Sequence, residues 1–193
     1  MREILIENLK ICYGSETVID NFSCSIGLND ITAIMAPSGR GKTTLLYALL
    51  NLISIDGGRI SGVPESISVV FQEGRLFEDF NAYNNIFALM NKRKTGITKH
   101  EIQQHLKELN LLEHAEKKTR EWSGGMKRRL EIIRAVIAQS ELIILDEPFK
   151  GIDDKNKEKV IDYILKNRRD RGIIMTTHNK SEIGMLNARL LEF

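Results

Sequence analysis

The stretch from residue 34 to residue 50 constrains the fold of this chain most, because a buried strand, a loop of small residues and a helix follow each other there directly. The loop reads APSGRGKTT and matches the phosphate-binding pattern G-x-x-x-x-G-K-[ST], with Ala36 where the first glycine usually stands. Gly39 and Gly41 allow backbone N–H groups to point at phosphate oxygens, and the helix that opens at about Lys42 adds the positive end of its dipole. This order of elements predicts an α/β fold with a phosphate-binding loop.

The side chains of this loop supply the chemistry that a triphosphate needs. Lys42 can reach the β- and γ-phosphates as a point charge, and the hydroxyl of Thr43 is an oxygen donor of the kind that Mg²⁺ prefers. A methyl group at Ala36 fits only if that residue keeps a negative φ. The alternative, a glycine-rich turn that binds nothing, is disfavoured by the flanking strand and helix. The loop residues predicted to bind the nucleotide are Pro37, Ser38, Gly39, Arg40, Gly41, Lys42, Thr43 and Thr44.

Composition predicts one domain without a membrane span. The 193 residues, 42% of them hydrophobic, suffice for one buried core and a modest insertion, and a net charge of +2 does not favour nucleic acid as a partner. Cys12 and Cys24 lie at no metal-ligand spacing, which is typical of a reduced, cytosolic protein. The N-terminus is charged where a signal sequence is apolar, and no apolar run approaches the ~20 residues of a bilayer span. Another polypeptide would have to supply any membrane-spanning part.

Hydrophobic periodicity predicts a sheet, an inserted helical lobe and a return to the sheet. Alternation over residues 4–11 and 18–26 predicts two half-buried antiparallel strands, and residues 60–71 return short strands. Apolar residues then recur at helical spacing over 84–91 and 98–112. These helices are expected to form a lobe between strands of the core.

The second predicted helix carries its own start signal. Thr98 is an N-cap with Glu101 three residues later, which matches a capping box, and a linker of mixed charge follows over residues 113–120. The histidines on or beside this helix are interpreted as surface or packing residues: His100, His105 and His114.

Polar side chains at strand ends supply the predicted catalytic groups. Asp146 and Glu147 end the apolar strand 141–145, and paired acids there are costly unless a metal or water chemistry uses them. Asp146 is predicted to hold Mg²⁺ through water and Glu147 to act as general base, with a capping acidic pair as the alternative. His178 follows another strand, within reach of a γ-phosphate. Gln72 ends a strand facing the loop, where its amide could ligate Mg²⁺ and contact a nucleophilic water.

Two further features predict contacts with the nucleotide. Ser123, Gly124 and Gly125 immediately precede a helix, so this second helix N-terminus can bind another anionic group through its amides and hydroxyl. Tyr13 sits just past a strand, where an exposed ring could stack on a flat base or instead pack on its own sheet.

Taken together, these residues resemble the nucleotide-binding subunit of ATP-binding cassette (ABC) transporters over nearly the whole chain. By this resemblance, Tyr13 is the adenine-stacking aromatic, Gly39 to Thr44 are the Walker A loop, and Gln72 is the Q-loop glutamine. Ser123-Gly124-Gly125 resembles the signature motif, and Asp146 and Glu147 resemble Walker B and its catalytic glutamate. Gly151-Ile152-Asp153 is similar to the D-loop and His178 to the switch histidine.

The resemblance implies a fold and a set of partners. The expected fold is a single ABC ATPase domain of the α/β class: a P-loop NTPase core (1–72 and 136–193) with an N-terminal antiparallel β-subdomain, and an inserted α-helical subdomain (73–135) with the signature motif. The family implies ATP and Mg²⁺, a second ABC subunit that completes each site, and an integral membrane permease with the ATPase on the cytoplasmic face. Residues 71–77 resemble most closely the importer branch that serves small oxyanion-type or amino-sulfonate solutes.

This sequence departs from the family pattern at Trp122 and Met126, which replace the usual leucine and glutamine around the signature glycines, so altered coupling is expected. Because the sequence ends at Phe193, soon after the last predicted strand, we expect no regulatory or structural extension of the kind that many members carry. One alternative function is a non-transport ABC ATPase acting on nucleic acid or ribosomes, disfavoured because there is one cassette, no long coiled-coil insertion and no basic stripe. Another is a P-loop kinase, which would need an acceptor-binding lid and would not need Ser123-Gly124-Gly125 before a helix.

Overall fold

The computed structural model describes residues 2–37, 39–89 and 96–192. The predicted contact of Ser38 and the end of the helix predicted over 84–91 lie outside these residues. The chain forms two compact units. The first comprises Met1–Ile67, Ser140–Glu147 and Asp170–Phe193, and the second comprises Ser68–Gln139 and Pro148–Arg169.

The first unit contains the predicted antiparallel strands. Its antiparallel sheet has the order β2-β1-β4, formed by β1 (Glu3–Tyr13), β2 (Glu16–Gly27) and β4 (Gly57–Ser61). Ile4, Ile6 and Ile11 of β1 are buried while their neighbours are exposed, so the sequence alternation follows the two faces of this sheet.

A parallel sheet in the same unit positions the loops that matter for function. Its neighbouring strands run in the order β6-β7-β3-β8: β3 (Ile31–Met35), β6 (Leu142–Asp146), β7 (Gly172–Thr176) and β8 (Arg189–Glu192). Helix α1 (Lys42–Leu49) follows β3, and α6 (Lys180–Met185) follows β7. Because parallel strands share one carboxyl edge, the segments after Met35, Asp146 and Thr176 all emerge on the same side.

The second unit is mainly helical. The strand β5 (Ile67–Val70) leads into it, and it contains α2 (Ala82–Phe87), α3 (Lys99–Glu108), α4 (Gly124–Ile137) and α5 (Asp154–Asn167). The predicted capping box is confirmed, because the Thr98 hydroxyl accepts from the Glu101 N–H and the Glu101 carboxylate accepts from the Thr98 N–H. The helix ends at Glu108 rather than near residue 112, since Asn110 adopts a left-handed φ of 55°.

The predicted linker is more ordered than its composition suggests. It contains two short 3₁₀ turns, Leu112–His114 and Thr119–Glu121. Thr119 is fully buried and its hydroxyl donates to the carbonyl of Phe77, which fixes the second turn. Within the described ranges, no helix combines the length and apolar character that crossing a bilayer requires.

Candidate nucleotide-binding site

The loop between β3 and α1 has the backbone that its glycines predict. Gly39 and Gly41 have φ values of 78° and 86°, in the left-handed region that glycine adopts at least cost. A Cβ on Gly41 would also lie 2.8 Å from Cγ1 of Val18, so both conformation and space require glycine there. Ala36 is not among the described residues with positive φ, so its backbone accommodates the methyl group that replaces the usual glycine.

Lys42 lies folded over this loop. Its side chain is buried, and its Nζ donates to the carbonyl oxygens of Ala36 at 2.8 Å and Pro37 at 3.2 Å. Burial lowers the pKa of Lys42, while Glu147 and Asp146 oppose the shift by favouring the charged form. A cation is therefore held at the mouth of the loop, with acidic groups close enough to stabilise it.

Asp146 connects this loop to the end of β6. The hydroxyl of Thr43 donates to its Oδ2 at 3.1 Å, and the hydroxyl of Thr176 donates to its Oδ1. The carboxyl group is almost fully buried, at 2% exposure of the residue. Thr43 and Asp146, two of the three residues predicted to bind Mg²⁺, are thus in direct contact.

Glu147 has a strained backbone and faces His178. Its φ of 47° is unusual for a residue other than glycine, and its N–H donates to the Thr176 hydroxyl at 2.9 Å. Its Oε1 lies 3.0 Å from Nε2 of His178. Strain of this kind costs about 1–3 kcal/mol and is concentrated at functional sites, where surrounding contacts hold it in place.

The turn that carries His178 is held by hydrogen bonds to β3 and to α6. The Thr177 N–H donates to the carbonyl of Ile34 at 3.2 Å, and its hydroxyl donates to the buried carboxylate of Glu182. A cavity of about 590 Å³ lies beside this turn, lined by Met35, Ala36, Pro37, His178 and Glu192. His178 thus reaches both the glutamate and the open space at the start of the loop.

Thr176 is a residue of this site that motif reasoning did not identify. It pairs with Asp146 across β6 and β7, is fully buried, and bonds to both the Asp146 carboxylate and the Glu147 amide. The sequence signal was the threonine pair 176–177 that ends an apolar strand just before His178.

Tyr13 ends β1 with 52% of its surface exposed. Its ring is therefore available to stack on a base, which favours the first of the two interpretations left open by the sequence.

The second unit holds the remaining predicted residues. Ser123 is the N-cap of α4, where its hydroxyl accepts from the Met126 N–H at 3.3 Å. The carbonyl oxygen of Gly151 would lie 2.8 Å from a Cβ on Gly125, so the two glycine-containing turns are in close contact. Asp153 is the N-cap of α5, where hydrogen bonds from Asn156 lower its pKa. The structure thus brings residues 123–125 and 151–153 together.

Gln72 lies just beyond β5 in the same unit and is exposed. Trp122, one of the departures around the signature glycines, is buried at 5% exposure, so its indole packs inside this unit.

A family model described as "ABC transporter" matches residues 19–150. The chain belongs to the ABC transporter family. The ergothioneine transport ATP-binding protein EgtV of Helicobacter pylori (strain G27) is 33% identical over 210 residues, which cover 100% of this chain and 98% of that protein.

This chain spans only a small part of some longer members of the ABC family that it matches. The glucosylceramide transporter ABCA12 of Mus musculus is 31% identical over 193 residues, 92% of this chain but 7% of that protein. The structure of a bacterial Atm1-family ABC exporter with ATP bound superposes with a TM-score of 0.85 at 19% identity, covering all of this chain and 37% of that one. At this identity the likeness shows a shared α/β fold, which confirms the predicted fold class.

Proposed function

We propose that this chain is the ATP-binding and ATP-hydrolysing subunit of a transporter and powers solute movement through a separate membrane permease. The observation that carries the proposal is the cluster in the first unit, where Lys42, the Thr43–Asp146 pair and the Glu147–His178 pair meet at one sheet edge. A phosphate loop alone would suit many nucleotide-binding proteins. A buried lysine, a hydroxyl–carboxylate pair and a carboxylate–imidazole pair around it suit hydrolysis of the terminal phosphate.

The loop is proposed to hold the triphosphate and Tyr13 the adenine. Its amides from Gly39 to Thr44 and the N-terminus of α1 face the phosphates, and Lys42 exchanges its two carbonyl acceptors for phosphate oxygens. The lysine is already buried and oriented before ATP arrives, so little side-chain entropy is lost on binding.

The donor set at the loop fits Mg²⁺. A threonine hydroxyl and a buried carboxylate 3.1 Å apart are hard oxygen donors, of the type this ion prefers. Thr43 and Gln72 would hold the ion directly and Asp146 through water, and the bound ion would neutralise charge that develops on the phosphate oxygens.

Glu147 is proposed as the general base. A water attacks the γ-phosphorus, a P–O bond forms, the bond to the β–γ bridging oxygen breaks, and the water proton moves to the Glu147 carboxylate, leaving ADP and phosphate. His178 and the Thr176 hydroxyl hold that residue from its side chain and its backbone. Gln72 and His178 would contact the water or the γ-phosphate.

A second ABC subunit, identical or related, is proposed to close over the nucleotide. Ser123, Gly124 and Gly125 begin α4 with an exposed hydroxyl and amides, and Asp153 lies in the turn packed against them. The division into a core (1–72 and 136–193) and a helical subdomain (73–135) remains part of this proposal. In the assembly, the subunit would lie on the cytoplasmic face of the membrane.

An apolar patch in the second unit is proposed as the permease contact. Phe77 and Phe80 are 48% and 41% exposed with ring centroids 5.2 Å apart, and the half-buried Leu76 precedes Phe77 in the chain. The backbone beneath is fixed, since buried Asn85 accepts from the Phe77 N–H and donates to the Phe77 carbonyl. A rigid backbone that presents two exposed rings suits docking of a helix better than it suits core packing.

Replacement of Phe77 by aspartate is expected to uncouple the transporter. Transport in permease-containing vesicles should fall at least about tenfold, because a charge would have to be desolvated in the contact, while ATP hydrolysis by the isolated subunit stays near the parent rate. Leu112→Asp, which alters an exposed apolar residue outside the patch, serves as the control. Loss of both activities in Phe77→Asp would instead show that the ring supports the fold.

Met126→Gln tests the departure at the signature motif. A glutamine amide would add hydrogen bonds that a thioether cannot make, so the ATP concentration that half-saturates dimer formation is expected to change a few-fold while maximal turnover stays similar. Light scattering across an ATP titration, with phosphate release measured in parallel, reports both quantities. Complete inactivity would mean that position 126 tolerates no polar group.

The proposed function is tested by finding whether a multi-spanning protein is encoded beside the gene for this chain and by purifying the two together. Reconstituted in vesicles, the pair should move a solute only with ATP and Mg²⁺ inside the compartment that holds this subunit. Co-purification with a nuclease or with ribosomes, together with hydrolysis stimulated by nucleic acid, would replace the transport proposal with the non-transport alternative.

A further inference from the structure

Helix α4 carries four buried charged side chains, and three of them contact the segment around Gln72 or each other. Arg128, Glu131 and Arg134 are 6%, 4% and 7% exposed, although each side chain is ionisable. Burying a charged group costs desolvation free energy unless the group is paired and fully hydrogen-bonded. The contacts of these side chains therefore indicate their role.

Arg128 bonds to the backbone at two separate places. Its Nη1 donates to the carbonyl of Phe71, the residue before Gln72, and its Nε donates at 3.2 Å to the carbonyl of Pro148, the residue after Glu147. The same Nη1 lies 3.2 Å from Oε2 of Glu131. One rigid guanidinium therefore joins the neighbours of two residues to which the proposed function gives catalytic roles.

Glu131 and Arg134 fix the other side of Gln72. The Arg75 N–H donates to Oε1 of Glu131 at 2.6 Å, and Nη1 of Arg134 donates to the Arg75 carbonyl at 3.0 Å. A Cβ on Gly74 would lie 3.4 Å from the same Glu131 oxygen, so the chain passes close against this carboxylate. The segment that bears Gln72 is thus attached to α4 both before and after the glutamine.

We propose that Arg128 and Glu131 are positioning residues for Gln72. The inference rests on the proposed function, because only there does Gln72 contact the metal ion and the attacking water. The pair holds the backbone around Gln72 and leaves its exposed side chain able to reach a ligand. This placement matters because moving a catalytic group by about 1 Å can lower the rate of the reaction roughly a hundredfold. The helix that begins at Ser123 would then also set the place of Gln72.

The test is Arg128→Met beside Arg129→Met. Arg129 is also a buried arginine of α4, but it donates to the carbonyls of Leu109 and Gly125 and to Asn156, not to the segment 71–75. Arg128→Met should lower kcat for ATP about tenfold or more with KM changed less than about threefold. It should also raise several-fold the Mg²⁺ concentration that half-saturates binding of a non-hydrolysed ATP analogue, measured by calorimetry. Arg129→Met should leave that Mg²⁺ concentration unchanged.

A double variant separates positioning from folding. Arg128→Met/Glu131→Leu removes both charges of the buried ion pair, so its Tm should recover toward the parent value relative to either single variant, while the raised Mg²⁺ requirement persists. If the Mg²⁺ requirement recovers together with Tm, the pair is structural and the inference is wrong. Should Arg128→Met fail to fold, Arg128→Lys keeps the charge beside Glu131 without the rigid fork and should still raise the Mg²⁺ requirement.

Measuring ATP hydrolysis by the parent protein separates failure of this inference from failure of the proposed function. If the parent hydrolyses no ATP in the presence of Mg²⁺, the proposed function fails. If the parent is active and Arg128→Met and Arg128→Lys match it in kcat and in Mg²⁺ requirement, only the positioning role is overturned.

Discussion

Lys42→Ala is expected to weaken ATP binding at least about tenfold, because a charge-assisted hydrogen bond contributes ~1.5–3 kcal/mol and the helix dipole offsets only part of the triphosphate charge. The lysine is buried with its ammonium group over the loop, so truncation removes a cation that is already in place at the phosphate-binding site. Calorimetric titration with ATP measures the change. Lys10→Ala, which removes an exposed lysine from β1, is the control and should bind ATP like the parent.

The pKa of Lys42 adds a pH dependence to this result. Burial lowers that pKa from its ordinary 10.5 in the free protein, and bound phosphates would raise it again by favouring the charged form. ATP affinity should therefore be constant at neutral pH and fall as pH rises through the lowered pKa, and Lys42→Ala should lose this alkaline fall. Unchanged ATP affinity in Lys42→Ala would remove the loop from the nucleotide site.

Features encoded by neighbouring residues could be predicted from the sequence. The loop from Ala36 to Thr44 depends on glycines and a helix start that lie side by side, and the structure has the expected positive φ at Gly39 and Gly41. The Thr98 capping box was predicted for the same reason, since its two partners are three residues apart. Such features need no knowledge of the tertiary fold.

Contacts between distant residues could not be predicted in this way. Thr176 reaches Asp146 only because β7 pairs with β6, and Arg128 reaches Phe71 only because α4 packs against that segment. Local composition also misled, because buried Thr119 orders a stretch whose mixed charges predicted a linker. The helix α5 and strand β8 were missed as well; β8 is short and mostly exposed, so its pattern lacks a clear period.

Glu147→Gln is expected to bind ATP, close the dimer and stop hydrolysis. The amide keeps the shape and hydrogen-bonding reach of the carboxylate beside His178 but cannot take the proton of the attacking water, a role that contributes about 10²–10⁴-fold to a rate. Phosphate release should fall by that factor while ATP affinity is kept. Glu141→Gln, the same change just before β6 at a partly exposed residue, should hydrolyse ATP at the parent rate.

Dimer closure is expected under the proposed function, in which the base Glu147 of one copy and the signature motif of a second copy act on the same nucleotide. A second copy that presents its Ser123 hydroxyl and glycine amides to the γ-phosphate would exclude water and strengthen charge stabilisation, so ATP that is not hydrolysed should hold the copies together. Size-exclusion chromatography with ATP and Mg²⁺ should show Glu147→Gln as a dimer and Glu147→Gln/Ser123→Arg as a monomer, since a bulky cation at the N-cap of α4 obstructs the contact. A single variant that stays monomeric at millimolar ATP would contradict the composite site, and one that hydrolyses at the parent rate would contradict the assignment of Glu147 as base.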